Sequence, residues 1–470
     1  MSIFFRPGKN AAADFIPFFW QGSYHLFYLE TDRTGQAPEG TPWKHLVTRD
    51  FVEFEDWGEA LGRGGADEQD LYVFTGSVIE RQGTFYSFYT GHNQHLIPQG
   101  KPQEVILRAT SPDLRTWTKD RRFSIPPPVA QGYEPNDWRD PFVFWNGEAG
   151  EYWMLLAARR RNAGPERRQG LVALMTSDDL NRWELRDPLW APDEYFTHEC
   201  PDMFPVGPWW YLVYSTFSDR FATHFRMAPG PRGPWLAPDN DAFDGRAYYA
   251  AKTAGDGMRR FVFGWLPDRV GESDEGGWMW GGNLVVHEIV PHPNGALTVR
   301  APETVLAAFS TDLPLEPRPV LGPWWVQERA CGVNSLGRFS VAKLGAMPEE
   351  CLIETEVTFS HGTQALGLVL RASGDLMKYY QVRLEPPRQR MVVDRWPRPG
   401  DQPFMIERPL ELRAGRAVRL RIIADGTCLV VYADDEVAMS CRMYDQREGG
   451  LAAFVAEGEA EFREVGVKGR

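Results

Sequence analysis

A three-part phrase recurs five times along the first two thirds of the chain and limits what the chain can fold into. Its most regular part is a short aromatic run: SYHLFYLE from Ser23, TFYSFYTG from Thr84, EYWMLLAAR from Glu151, WWYLVYST from Trp209 and RRFVFGWL from Arg259. Runs of this length, rich in aromatic residues and bounded by turn residues, read as strands. A second part follows several of them: LVTRDFVEFEDW, LRATSPDLRTWTKD and LMTSDDLNRWELRD. Each joins a strand to a Ser/Thr-x-Asp-type turn and then to a Trp or Phe, and such turns close through side-chain hydrogen bonds to nearby backbone. A third part precedes each aromatic run: ADFIPFFWQG, YVFTGSVIERQG, RDPFVFWNGEAG, CPDMFPVGP and, more loosely, DGRAYYAAKTAGDG. Each unit therefore reads as four strands, and five copies predict a five-bladed β-propeller.

The repeat fades near residue 300, and a proline-rich stretch, STDLPLEPRPVLGPWW, follows. Beyond it the pattern changes. CLIETEVTF, YYQVRLEP, AVRLRIIADG and CLVVYADDE alternate apolar and polar residues between closely spaced turn signals, as an antiparallel sandwich does. The expected fold is all-β: a propeller over residues 1–312, a linker over 313–325 and a β-sandwich over 326–470.

Several function classes are disfavoured. The net charge of −13 and the lack of a basic stripe argue against nucleic acid as a partner. The Arg-rich segment RRRNAGPERRQG, from Arg159, reads as a solvated loop. Five cysteines with no CxxC pair argue against a zinc site or a disulfide framework, and no cofactor is expected. No apolar run is long enough to cross a membrane as a helix, and MSIFFRPGKNAAADF lacks the charged start and longer apolar core of a leader. A cytoplasmic protein without a membrane partner is the expectation.

The chemistry is expected where the third part begins. In a propeller the innermost strand of each blade lines the axial channel, and its first residues open at one mouth. That places Asp14 of blade one, Asp140 of blade three, and Glu199 and Asp202 of blade four around one funnel. An isolated Asp before a strand is ordinarily a turn residue, but acids recurring at one point of a repeat call for another reading. Acetal hydrolysis needs one carboxylic acid to protonate the leaving oxygen and a second carboxylate to attack the anomeric carbon or activate water. Crowded acids resist joint ionisation, so one is expected to stay protonated. Arg139, beside Asp140, is expected to hold another acid ionised or to grip a hydroxyl. His198 is the histidine expected nearest the site, Trp138 is a further candidate for sugar contact, and Cys200 reads as a buried small residue.

These residues resemble glycoside hydrolase family 32, the group of invertases, inulinases, levanases and related fructosyltransferases. WRDPFVFW resembles its Arg-Asp-Pro motif, HECPDMF its Glu-Cys-Pro motif and FTGSVIE its Phe-Ser-Gly-Ser motif. PWKHLVTRDFVEFE resembles its Trp-Gly-His segment, and CLVVYADDEVAMSCRMY its terminal sandwich signature. The resemblance implies a retaining double displacement, with Asp14 as nucleophile, Glu199 as acid and base, and Asp140 holding furanose hydroxyls. It also implies that Arg139, Phe74, Ser77 and Trp43 shape the sugar pocket. The family's first motif, Asn-Asp-Pro-Asn-Gly, is reduced here to Ala13-Asp14-Phe15-Ile16-Pro17. An inverting arabinofuranosidase- or xylosidase-like enzyme of the related five-bladed group, or a non-catalytic sugar-binding protein, are the alternative readings. The partner expected is a sugar or oligosaccharide, with the sandwich available for self-association.

Overall fold

The computed structural model describes residues 2–398, 400 and 404–470. All five aromatic runs are strands: Ser23–Thr31, Thr84–His92, Glu151–Arg160, Trp209–Thr216 and Arg260–Arg269. Each is the second strand of a blade, pairing antiparallel with an inner strand before it and an outer strand after it. Neighbouring blades cover both faces of these strands. Both side-chain faces are therefore apolar, and the usual alternation gives way to a continuous aromatic run. Each fully buried large side chain contributes about 1.5–3 kcal/mol to this packing.

The Ser/Thr-x-Asp turns of blades one to three are copies of one another. Asp50, Asp113 and Asp179 each accept two backbone N–H bonds from the residues that follow. The next residue in each, Phe51, Leu114 or Leu180, has φ of 63–64° and a buried side chain. The bonds made by the Asp stabilise a left-handed residue that a bulky side chain ordinarily avoids.

The five inner strands are Ala11–Trp20, Tyr72–Arg81, Tyr133–Asn146, Glu199–Val206 and Tyr249–Gly255. They touch in a ring, and blade five closes onto blade one through the pairing of Ala12 with Gly282. A Cβ on Gly282 would lie 1.8 Å from the Leu266 carbonyl oxygen, so this closure requires glycine.

Every inner strand is interrupted by a register shift, near its start in four blades and at mid-strand in blade three: between Ala13 and Ile16, Phe74 and Gly76, opposite Leu155 to Ala157 in blade three, between Glu199 and Asp202, and between Tyr249 and Lys252. A bulge breaks the two-residue alternation and lets consecutive side chains face the same side. Two successive residues of most blades therefore reach the hub: Phe74-Thr75, Arg139-Asp140, Glu199-Cys200 and Tyr249-Ala250. Blade one supplies Asp14. Asp14, Asp140, Cys200 and Ala250 carry the left-handed backbone of the bulge, with φ of 46°, 60°, 50° and 49°.

The C-terminal part is two packed antiparallel sheets, one containing the closing strand Glu459–Gly469 and the other the strand Gly449–Ala456. Their inner faces enclose a separate apolar core of residues such as Leu366, Val382, Ile422 and Val431. The stretch expected to be a linker is partly paired. Within it, Arg318–Leu321 is the edge strand beside Phe339–Met347, and just before it Thr311–Asp312, expected as the end of the propeller, bonds to the closing strand of the sandwich. Proline at a sheet edge leaves no ladder donor missing, which reconciles the composition with the pairing. Among the described residues, no helix is long and apolar enough to cross a membrane.

Candidate active site

A cavity of about 840 Å³ opens at the hub. Of the nine residues expected at the site, Asp14, Asp140, Glu199, Arg139 and Phe74 line it. The three acids are joined by a circuit of hydrogen bonds that passes through all five blades. Thr75 Oγ1 of blade two donates to Asp14 Oδ2 at 2.7 Å. Thr90 Oγ1 donates to the Thr75 carbonyl at 3.1 Å and accepts the Asp140 N–H at 2.8 Å. The Cys200 N–H of blade four donates to Asp140 Oδ2 at 2.8 Å. Arg139 Nη2 donates to Glu199 Oε1 at 2.9 Å, and Tyr249 OH of blade five donates to Glu199 Oε2 at 2.5 Å. Trp265 Nε1 returns to Asp14 Oδ1 at 3.0 Å.

Arg139 is held from behind by Glu104 at 3.3 Å and Asp137 at 3.0 Å, and Asp137 is held in turn by Arg159 at 2.8 Å. Burial alone would lower the Arg139 pKa, but the carboxylates of Glu104, Glu199, Asp140 and Asp137 more than offset it, so the guanidinium stays charged. Arg159 is consequently not part of a solvated loop. It is buried at the end of a blade-three strand, and its guanidinium also stacks 3.8 Å above Phe196; Arg160, Arg161 and Arg167 are the exposed arginines of that segment.

Burial is also the largest influence on two of the acids. It pushes Asp14 up to about 6, against the bonds from Thr75 and Trp265. It pushes Asp140 up to about 7, against the charge of Arg139, with Glu199 and Asp14 adding repulsion. The expected crowding of like charges is present, but desolvation outweighs it. Burial holds the Cys200 thiol and the Tyr249 phenol protonated, which suits Tyr249 as a donor to Glu199.

Four expected contacts do not line the cavity. Trp138 and His198 immediately precede the bulge pairs of blades three and four, so strand alternation turns them into the packing between blades. Trp138 packs edge-on against Tyr133 and contributes only its backbone N–H, to Glu104 at 3.0 Å. His198 is enclosed by Trp190, Tyr195 and Tyr214, and burial lowers its pKa to about 3. Trp43 lies beneath the wall and donates to the Phe74 carbonyl at 3.0 Å. Ser77 Oγ accepts the Val143 N–H at 2.9 Å, joining blades two and three. Asp202 also faces away from the cavity, accepting the Thr253 N–H at 2.5 Å. The glycine of the FTGS motif has a steric cause: a Cβ on Gly76 would lie 2.0 Å from the Phe88 carbonyl oxygen.

The residues not anticipated are Thr75, Tyr249 and Trp265. Thr75 lay within a quoted motif, and its position level with Asp14 in the repeat was the available signal. Tyr249 lies in the loosest copy of the repeat. Trp265 belongs to an aromatic run and read as core.

A propeller hub whose cavity is lined by five carboxyl groups, Asp14, Glu104, Asp137, Asp140 and Glu199, with Arg139 as the one cation of the lining, suits acetal hydrolysis. The chain belongs to glycosyl hydrolase family 32: residues 5–280 match the family's N-terminal domain and residues 331–469 its C-terminal domain. The sucrose-6-phosphate hydrolase of Escherichia coli is 25% identical over 93% of this chain and 87% of its own length. The raffinose invertase of Escherichia coli is 25% identical over 94% and 89%. Among solved structures, fructan 1-exohydrolase IIa from Cichorium intybus superposes with a TM-score of 0.74 at 18% identity, over 99% of this chain and 97% of the other. The exo-inulinase from Aspergillus awamori gives 0.73 at 18% identity, over 100% and 98%.

Proposed function

We propose that the chain is a retaining hydrolase of fructofuranosides, with Asp14 as nucleophile, Glu199 as acid and then base, and Asp140 as the group that holds ring hydroxyls. In the first step an Asp14 oxygen bonds to the anomeric carbon. The glycosidic bond breaks, and the Glu199 proton goes to the departing oxygen, releasing an alcohol. In the second step Glu199 takes a proton from water, whose oxygen bonds to the anomeric carbon, and Asp14 departs as a carboxylate. An acceptor alcohol in place of that water gives transfer.

The observation that carries this reading is the hydrogen-bond circuit that joins the three acids in one cavity. Trp265 and Thr75 each bond one oxygen of Asp14, so the carboxyl plane is fixed before substrate arrives. Arg139 and Tyr249 do the same for Glu199. Relatives named as invertase and fructan exohydrolase support the choice of sugar.

The test is a screen of sucrose, short fructans, and aryl fructofuranosides and arabinofuranosides, with the first-formed product anomer read by carbon NMR. Release of β-fructofuranose first is expected. A first-formed α anomer, or turnover of arabinofuranosides alone, would overturn the proposal.

A further inference from the structure

The two halves of the cavity differ in chemistry. On the side of blades one to three the lining is polar apart from Phe74, with Thr75, Gln103, Asn136 and Asp137 beside the acids. On the side of blades four and five, the only ionisable groups apart from the Cys200 thiol are the Glu199 carboxylate and the Tyr249 hydroxyl, and these bond to each other. The rest of that side is mainly rings. Phe221 lies flat on Tyr249 at 4.4 Å with an interplanar angle of 6°, Tyr249 meets Trp265 edge-on at 5.6 Å, and Trp265 meets Trp280 at 6.5 Å. Phe196 and Phe217 continue the wall, with ring centres 5.6 Å apart.

These rings are held in place before any ligand binds. Arg159 covers Phe196, Arg269 covers Trp278 at 4.0 Å, and Arg33 bonds the Trp280 carbonyl at 2.6 Å. The outermost of them are open to solvent: Phe217 is 45% and Trp280 39% exposed. Large apolar side chains left uncovered at the rim of a pocket mark a surface that a ligand covers.

The direction of the leaving group follows from Glu199. The acid must touch the glycosidic oxygen, so the aglycone leaves on the side where Glu199 stands, between blades three and five. There it meets Phe196, Phe217, Phe221 and Tyr249, with Asn136 and Asp137 on the blade-three side and Trp280 closing the rim toward blade one. We infer that the aglycone half of this site is built for an apolar, ring-bearing leaving group, so that fructofuranosides of aromatic or other apolar alcohols are its preferred substrate class. The phenol of this wall is already engaged, which leaves the indole N–H groups of Trp278 and Trp280 as its donors, so most hydroxyls of a sugar aglycone covered there would lose hydrogen bonds to water. A phosphorylated aglycone would find one cation in the lining, Arg139, which four carboxylates already surround; Arg33, Arg159 and Arg269 lie behind the wall and are engaged by Asp268, Asp137 and the Asp274 carbonyl.

The inference rests on the fructofuranosidase reading, and one experiment separates the two. Turnover of methyl β-fructofuranoside, benzyl β-fructofuranoside and sucrose is compared in the wild type and in a Phe217→Ala/Trp280→Ala variant. Methanol and benzyl alcohol are leaving groups of similar basicity, so their ratio reports contact with the wall. The wild type is expected to prefer benzyl over methyl by about 30-fold in kcat/KM, from burial of one ring, and to prefer benzyl over sucrose. The ratio of benzyl to methyl is expected to collapse in the variant, a readout in which any general loss of activity cancels. Turnover with no benzyl preference, a preference that survives in the variant, or sucrose as the best of the three would overturn the aglycone assignment while leaving the fructofuranosidase reading intact. No turnover of any of the three would overturn that reading, and this inference with it.

Discussion

The indole N–H of Trp265 donates to Asp14 Oδ1 at 3.0 Å across 251 positions of sequence. The bond exists because blade five closes onto blade one, so the group that steadies the proposed nucleophile depends on closure of the ring. Trp265→Phe removes that donor and keeps the packing. With one stabilising bond lost, the Asp14 carboxyl, already pushed up to about 6, rises further. The acid limb of the kcat/KM profile is expected to move to higher pH by roughly one unit, since a hydrogen bond to a charged group contributes about 1.5–3 kcal/mol. A pH–rate profile of the variant checks this.

Glu199 and Asp14 are expected to fail differently. Glu199→Gln should lower kcat/KM on alkyl fructofuranosides by about 10²–10⁴-fold. It should cost far less for nitrophenyl fructofuranosides, whose leaving group departs without a proton. Asp14→Asn should abolish turnover of both. Comparing the two substrates across the two variants separates the roles.

The same burial that raises Asp14 has a cost in stability with a definite sign. The folded-state value, about 6, lies above the ordinary 3.8, so ionising Asp14 disfavours the folded state. The favourable contribution of its neutral form is fully present below about pH 4 and is lost as pH rises through about 6. Asp14→Asn should therefore be more stable than the wild type at pH 8, by on the order of 1–3 kcal/mol, and no more stable near pH 4. Urea unfolding at the two pH values measures the difference.

Arg159 and its neighbours offer a contrast within three residues. Arg159→Ala breaks a buried pair with Asp137 and uncovers Phe196, and should cost about 3–5 kcal/mol. Arg160→Ala and Arg161→Ala, at exposed positions, should stay within about 0.5 kcal/mol of the wild type. Thermal melts of the three variants suffice.

The parts of this molecule that were legible in sequence were those with a local cause. The middle strands read as aromatic runs because both their faces are covered, and the Ser/Thr-x-Asp turns read as turns because their bonds close within a few residues. Asp14, Asp140 and Glu199 could be placed at the hub because the repeat gave them a common position. What the repeat could not give was register at the bulges. Level with Asp14 and Asp140 stands Cys200; Glu199 is level with Arg139. Trp138 and His198, read as sugar contacts, stand one residue before the bulge pairs and so face into the packing between blades. Tyr249 and Trp265 act through contacts between blades, which no local pattern encodes.

The central claim is that Asp14 forms the covalent bond to the sugar. Glu199→Ala, incubated with nitrophenyl β-fructofuranoside, retains the nucleophile but lacks the base that activates water, so the glycosyl-enzyme accumulates. Acid quenching, peptic digestion and peptide mass spectrometry locate the adduct. An increase of one anhydrohexose on the peptide carrying Asp14, absent when Asp14→Asn is added, is the predicted result. An adduct on Asp140 or elsewhere, or turnover with inversion and no adduct, would contradict it.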